Sequence, residues 1–122
     1  MPRASRRSSR RARRRTVPPL TKRRLDQLVE EAIVDAYGES EQRVGLLAMI
    51  EQHLACPFET KILGAAVQVE RVDVNDADGI VAICRRGRAR QRISILNLPL
   101  PSPPPVGWEW IAAYRHWARG GR

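Results

Sequence analysis

The sequence is poor in cysteine, and this excludes two classes of small protein. Its 122 residues include only two cysteines, Cys56 and Cys84, which form neither a C-x-x-C pair nor the ligand spacing of a zinc site. A disulfide framework and a zinc-stabilised fold are therefore both excluded. We interpret the two residues as free thiols in a reducing compartment, which predicts a cytoplasmic protein.

Long apolar segments are also missing. No segment approaches the roughly 18 uninterrupted apolar residues that a membrane span needs, and no apolar core follows the N-terminal arginines as it would in a signal peptide. We therefore expect a soluble body and no membrane partner.

Recognisable catalytic motifs are absent as well. The sequence has no glycine-rich phosphate loop, no G-x-S-x-G and no H-E-x-x-H. His53 precedes Cys56 by three positions, and a cysteine near a histidine can act as a nucleophile, but Cys56 is better explained as a small packed residue. His116 lies among C-terminal aromatic residues, where a structural role is the simpler interpretation. The sequence predicts a protein that is not an enzyme.

Acidic residues are missing from the first 24 positions, which hold ten arginines and one lysine. Removing these 11 basic residues from the total of 22 leaves 11 against 13 acidic residues, so the rest of the chain carries −2 of the formal net charge of +9. A cationic segment with almost nothing to bury cannot offset the entropy cost of becoming ordered. We predict a disordered arginine-rich arm at residues 1–19 and a single domain at residues 20–119.

Dense arginines favour binding to nucleic acid or another polyanion. They neutralise phosphates without reading sequence, and the affinity falls steeply with salt. A solvated tail, or a start codon placed too far upstream, would explain the arm equally well. The residues predicted to contact a polyanion are Arg6, Arg7, Arg10, Arg11, Arg13, Arg14, Arg15, Arg88, Arg90 and Arg92.

Hydrophobic periodicity predicts helices in the first half of the domain. Apolar residues recur at helical spacing from Leu25 to Ala36, after a candidate N-cap at Thr21. A second helix is predicted to start after Ser40 and to stop before Pro57.

A period of two then replaces the helical period. Apolar and polar residues alternate from Val67, shift phase around Glu70 and Arg71, and alternate again to Ile95, which predicts short strands with a bulge. A final helix is predicted from about Trp108 to Ala118, with an apolar stripe that clamps onto the strands. Turns are predicted at Gly64, Asn75 to Gly79 and Gly87, and the stripe consists of Trp110, Ile111, Tyr114 and Trp117. We predict an α+β fold in which two N-terminal helices pack on a small, bent, SH3-like antiparallel β-barrel, with a C-terminal helix.

The segment "DVNDADGIVAIC" has the composition of a calcium loop. With Asp73 at position 1 of an EF-hand, Ala77 falls at position 5 and Cys84 at position 12, and with Gly79 at position 6, Arg85 falls at position 12. Neither frame supplies the ligands, so a turn between two strands is the preferred interpretation. A calcium site of another kind stays open, with one wall made of Asp73, Asp76 and Asp78.

The order of these pieces resembles the small calcium-binding protein family of the cyanobacterial CcbP type. The likeness runs from about Leu25 to Trp117 and includes "IVDAYGESEQRVGLLAMIEQHLACPFETKILG" and a terminal "WIAAYRHW". The residues that carry it are Ile33, Val34, Asp35, Ala36, Tyr37, Glu41, Gly45, Ile50, Glu51, Leu54, Pro57, Phe58, Tyr114 and Trp117.

The resemblance implies a non-enzymatic protein whose cofactor and partner is calcium, held at low affinity by surface carboxylates. Arginines stand in the strands where the resemblance leads us to expect carboxylates, and they repel a divalent cation. We therefore expect a weak or degraded calcium site. The candidate ligands that remain are Asp35, Glu39, Glu41, Asp73, Asp76 and Asp78.

Overall fold

A computed structural model describes residues 20–77 and 79–120. The elements are α1 (Lys22–Ala32), α2 (Glu39–His53), β1 (Phe58–Ile62), β2 (Ala65–Val74), β3 (Ile80–Arg86), β4 (Ala89–Ser94) and α3 (Trp108–Ala118). The predicted α+β class is confirmed. The predicted arm lies outside the described residues, so the division at residue 19 stays a prediction. Within the described ranges, no helix is long and apolar enough to cross a membrane.

The four strands form one antiparallel sheet in the order β1-β2-β3-β4. No pairing joins β1 to β4 in the described part of the chain, so the sheet is open and the predicted SH3-like barrel is not confirmed. Closure is not needed to bury the inner face, because helices cover it: the buried cluster unites residues of α1, α2 and α3 with residues of β2 and β3.

A bulge interrupts β2 at the point where the sequence shifts phase. Val69 pairs with Cys84 and Arg71 pairs with Ile83, so Glu70 has no partner in the ladder. This confirms the predicted irregularity. After this extra residue, β2 again directs side chains into the core beyond Val69. Glu70 and Arg71 therefore follow one another on the outer side of the sheet.

The C-terminal helix completes the core. Its four predicted stripe residues are all buried, and α3 packs against both other helices. The Tyr114 hydroxyl also accepts a hydrogen bond from the Ile80 backbone N–H at 3.4 Å, which ties the helix to β3. The prediction that this apolar stripe is buried is confirmed, but the helix packs mainly on α1 and α2 and touches the strands chiefly through Tyr114.

The connection between α1 and α2 differs from its prediction. The Thr21 N-cap is confirmed, since its Oγ1 accepts from the Arg24 backbone N–H at 3.0 Å. Helix α1 ends at Ala32 instead of continuing to Ala36, because the chain turns through Asp35 with φ 67°. A short polar residue tolerates this left-handed conformation.

The N-cap of α2 was also predicted wrongly. The helix starts at Glu39, so its N-cap is Gly38 and not Ser40. The side chain of Glu41 reaches back and accepts the Tyr37 backbone N–H at 2.8 Å, which satisfies a donor just before the helix.

Gly45 allows α1 and α2 to approach closely, and its replacement by alanine is expected to destabilise the protein. A Cβ at this position would overlap the Ala32 backbone carbonyl. Alanine adds about 1 kcal/mol of helix propensity, but overlap with a backbone atom costs about 1–3 kcal/mol, so we expect a net loss of up to about 2 kcal/mol in urea unfolding. The matched control is Ala48→Gly, at an exposed position of the same helix, which should cost about 0.5–1 kcal/mol. A Gly45→Ala protein more stable than wild type would contradict the close approach.

Candidate metal site and arginine face

The loop between β2 and β3 is closed by an asparagine. The Asn75 Oδ1 accepts the backbone N–H groups of Ala77 at 2.9 Å and Gly79 at 2.8 Å, and the Asn75 N–H donates to the Gly79 carbonyl at 2.9 Å. This confirms the turn interpretation. The side-chain oxygen that a calcium loop would use as a ligand is already occupied by two backbone donors.

The aspartates of this loop have different surroundings. Both oxygens of Asp73 are engaged, Oδ1 by the Val74 N–H at 2.8 Å and Oδ2 by the Arg71 guanidinium at 3.2 Å. The hydrogen bond from Val74 and then that from Arg71 lower the pKa of Asp73. Asp76 is exposed and has no partner in the described part of the chain, and Asp78 lies outside it.

The other three predicted ligands lie at the connection from α1 to α2. Asp35 is exposed, and Glu39 is an exposed carboxylate 3.8 Å from the Arg43 guanidinium. Glu41 is exposed too, with one oxygen engaged by the Tyr37 N–H. These carboxylates remain accessible to a cation from solvent.

The carboxylates do not converge. In residues 20–77 and 79–120, no three His, Cys, Asp or Glu side chains form a group that could hold a metal ion. Calcium takes six to eight oxygen ligands, so these carboxylates alone do not form a preassembled calcium site, and carbonyl oxygens or water would have to supply the other ligands.

On the outer face of the sheet, two arginines pair with Glu70, a carboxylate that no sequence motif marks as functional. Glu70 accepts from the Nε atoms of Arg85 and Arg90, both at 2.8 Å. Of the predicted polyanion contacts, Arg92 donates to the Val74 carbonyl at 3.3 Å, and Arg88 is exposed in the turn between β3 and β4. The seven predicted arginines of the arm lie outside the described residues.

The residues considered for catalysis have structural contacts. The His53 ring stacks on Trp110 with 5.5 Å between ring centroids. Cys56 is exposed, so the prediction that it packs as a small residue is wrong. Desolvation still raises the pKa of its thiol, opposite to the change that activates a nucleophile. His116 pairs its Nε2 with the Asp26 carboxylate at 2.8 Å and thereby links α3 to α1. This hydrogen bond is the main cause that lowers the pKa of Asp26.

In the described part of the chain, three helices and a four-stranded antiparallel sheet form a small α+β domain. The family model for CcbP, described as calcium binding, matches residues 26–117. The chain therefore belongs to the CcbP calcium-binding family, and the resemblance read from the sequence is confirmed.

A solved structure shares the fold. The chain is similar to a protein described as "Calcium binding protein in the calcium-binding form", with a TM-score of 0.61 and 18% sequence identity. The match covers 80% of this chain and 92% of that chain. A comparison with curated proteins gives no match.

Proposed function

We propose that this chain is a non-enzymatic calcium-binding protein that binds its cation weakly. The observation that carries the proposal is the family match over residues 26–117. The similar structure in its calcium-binding form supports the same fold for that role. We further propose that the protein works in the cytoplasm, which is supported by the absence of a disulfide between Cys56 and Cys84.

The proposed ligands are the six carboxylates predicted from the sequence. Weak binding is supported by their arrangement, because no three of the described ones form a group that could hold a metal ion and Asp73 is already paired with Arg71. The α1–α2 connection offers the more accessible group, in which Asp35 and Glu39 are exposed. A site with few charged ligands on an exposed connection is expected to have low affinity.

A calcium titration of the full chain followed by amide NMR tests the proposal. We expect shift changes at residues 35–41 and 73–79 that saturate at about 10⁻⁴ to 10⁻³ M calcium, as at other weak sites. Magnesium demands stricter octahedral geometry and should cause smaller changes at the same concentration.

Two variants make the titration specific. The change Glu39→Gln should weaken the calcium response of the α1–α2 connection about threefold or more, since it removes a charged ligand. The control Glu30→Gln removes an exposed carboxylate of α1 that lies outside both groups, and it should leave the response unchanged. Unchanged amide shifts at both segments in millimolar calcium would remove calcium binding as the function.

A further inference from the structure

The hairpin of β3 and β4 concentrates positive charge. Five arginines occur in the eight residues 85–92, namely Arg85, Arg86, Arg88, Arg90 and Arg92. The register places Arg85 directly opposite Arg90, so their side chains share the outer face. Like charges in this relation repel one another, and the pair needs a counter-charge to be held in place.

Glu70 supplies that counter-charge because of the bulge. It has no partner in the β2–β3 ladder, and its side chain lies on the outer face, where one carboxylate oxygen accepts from Arg85 and the other from Arg90. The hydrogen bond from Arg90 and then that from Arg85 lower the pKa of Glu70. One negative charge thus orients two positive ones, and a surplus of one positive charge remains.

The atoms used in these pairs leave the outer edges of both guanidinium groups available. Each arginine binds Glu70 through Nε, so the terminal nitrogens of Arg90 have no partner in the described residues, while Arg85 uses Nη1 for the Gly87 carbonyl at 3.2 Å and keeps Nη2 free. The side chains of Arg85 and Arg90 are 39% and 61% exposed, against 27% for Glu70. The carboxylate is therefore the shielded partner, and the donors of the two planar forks face solvent.

We propose that Glu70 is a positioning residue that holds Arg85 and Arg90 as a clamp for phosphate, and that the hairpin binds the phosphodiester backbone of a nucleic acid. Two oriented guanidinium groups match the oxygens of a phosphate, and Arg88 and Arg92 extend the cationic face along the same hairpin. The proposed phosphate-binding site consists of five residues, namely Glu70, Arg85, Arg88, Arg90 and Arg92.

Charge favours a long polyanion over a small ligand. The formal net charge of the chain is +9, and the eight arginines of residues 1–19 would attract the same polymer. Strands β2, β3 and β4 contain no Phe, Trp or Tyr, so the outer face offers no platform for stacking bases. Binding of this kind contacts the backbone and does not select a sequence.

The decisive experiment compares two carboxylates on the full chain. Glu59 lies on the same face as Glu70, because it pairs with Gln68 and Gln68 pairs with Arg85, and it is exposed without a partner in the described residues. The changes Glu70→Gln and Glu59→Gln each remove one negative charge. Simple charge attraction predicts tighter binding for both, whereas the clamp predicts weaker binding for Glu70→Gln alone.

Binding is measured by fluorescence anisotropy with a labelled mixed-sequence DNA duplex and, separately, a single-stranded RNA. We expect Glu70→Gln to weaken binding about threefold to tenfold and Glu59→Gln to tighten it slightly. Weaker binding of Glu70→Gln to either nucleic acid supports the clamp. The nucleic acid whose binding is weakened is the source of the recognised phosphates. Equal tightening by both variants would overturn it.

Changes at Arg90 give a second, independent measurement. Arg90→Gln should weaken binding about threefold to tenfold and reduce the slope of log affinity against log salt by about 1 between about 50 and about 200 mM salt. Arg90→Lys keeps the charge but lacks the fork, and should recover only part of the loss. The control Arg23→Gln, at an exposed position of α1, should have a smaller effect.

Three further results would overturn the proposal. Unchanged affinity in Arg90→Gln would place the attraction elsewhere in the chain. Full recovery in Arg90→Lys would show that only charge matters. A polyglutamate chain that binds as tightly as the nucleic acids would show that phosphate is not recognised. Circular dichroism of each variant verifies the fold, and all the substituted side chains are at least partly exposed.

Discussion

Replacing Gly107 with alanine is expected to lower the free energy of unfolding by about 3 kcal/mol or more, because two separate costs add. Gly107 has φ 89°, a left-handed conformation that a side chain disfavours. A Cβ at this position would also overlap the His53 carbonyl and approach the Leu54 Cα. The overlapped atoms belong to the backbone and cannot rotate away. Urea unfolding followed by circular dichroism measures the loss.

The matched control separates the two costs. Gly64 has φ 81°, similar to that of Gly107, but no atom lies within 4 Å of a Cβ built there. Gly64→Ala should therefore cost about 1 kcal/mol, which is the conformational term alone. Equal losses in the two variants would show that the contact with α2 contributes nothing.

The contact at Gly107 joins the end of α2 to the start of α3. The Ala55 N–H donates to the Val106 carbonyl at 2.8 Å immediately beside it, so two segments far apart in sequence share one backbone contact. Gly107 is also the N-cap of α3, which has no side-chain cap there. The sequence shows a glycine after a proline-rich segment, but it does not show that the backbone at the end of α2 lies so close that only glycine fits.

Features set by neighbouring residues could be predicted from the sequence. The Thr21 cap depends on a hydroxyl and an N–H three residues away, and the limits of α3 follow from a regular apolar stripe after Gly107. The bulge at Glu70 is visible because a core strand must keep its apolar residues on one side, so the alternation has to shift where a residue is inserted.

Features that depend on residues distant in the sequence could not be predicted. The end of α1 was predicted too late because Ala36 continues the apolar period, while the chain leaves the helix at Ile33 and turns at Asp35. Closure of the sheet depends on whether β1 meets β4, two strands with no local signal for or against pairing. Helices that cover the inner face remove the need for closure.

The candidate sites show the same limit. Turn composition located the exposed carboxylates of both connections, but it carries no information on whether they converge, and the described ones do not. Arg90 was predicted as a free cation of a strand face, yet its partner Glu70 lies 20 residues earlier in the chain. The bulge that places Glu70 on the outer face was visible in the sequence, whereas the register that brings Arg85 opposite Arg90 was not.

Arg115 is another charge whose role only the tertiary structure shows. It lies on α3, and its guanidinium donates to the backbone carbonyls of Ile95 and Leu98, two fully buried residues that follow β4. Desolvation, and secondarily the charge of Arg119, lower the pKa of Arg115. The guanidinium thus satisfies two carbonyls that lie away from any strand partner, and it holds the chain after the sheet against the helix layer.

Replacing Arg115 with methionine is expected to lower the free energy of unfolding by about 2–4 kcal/mol, since the apolar stem is kept but two buried carbonyls lose their donors. The matched control is Arg119→Met, one helical turn later at an exposed position, which should change stability by less than about 0.5 kcal/mol. Urea unfolding of both proteins measures the difference. Hydrogen exchange should also become faster at the Ile95 amide, which donates to the Ile80 carbonyl and depends on this segment staying in place. Equal stability of the two variants would mean that water replaces the guanidinium at both carbonyls without cost.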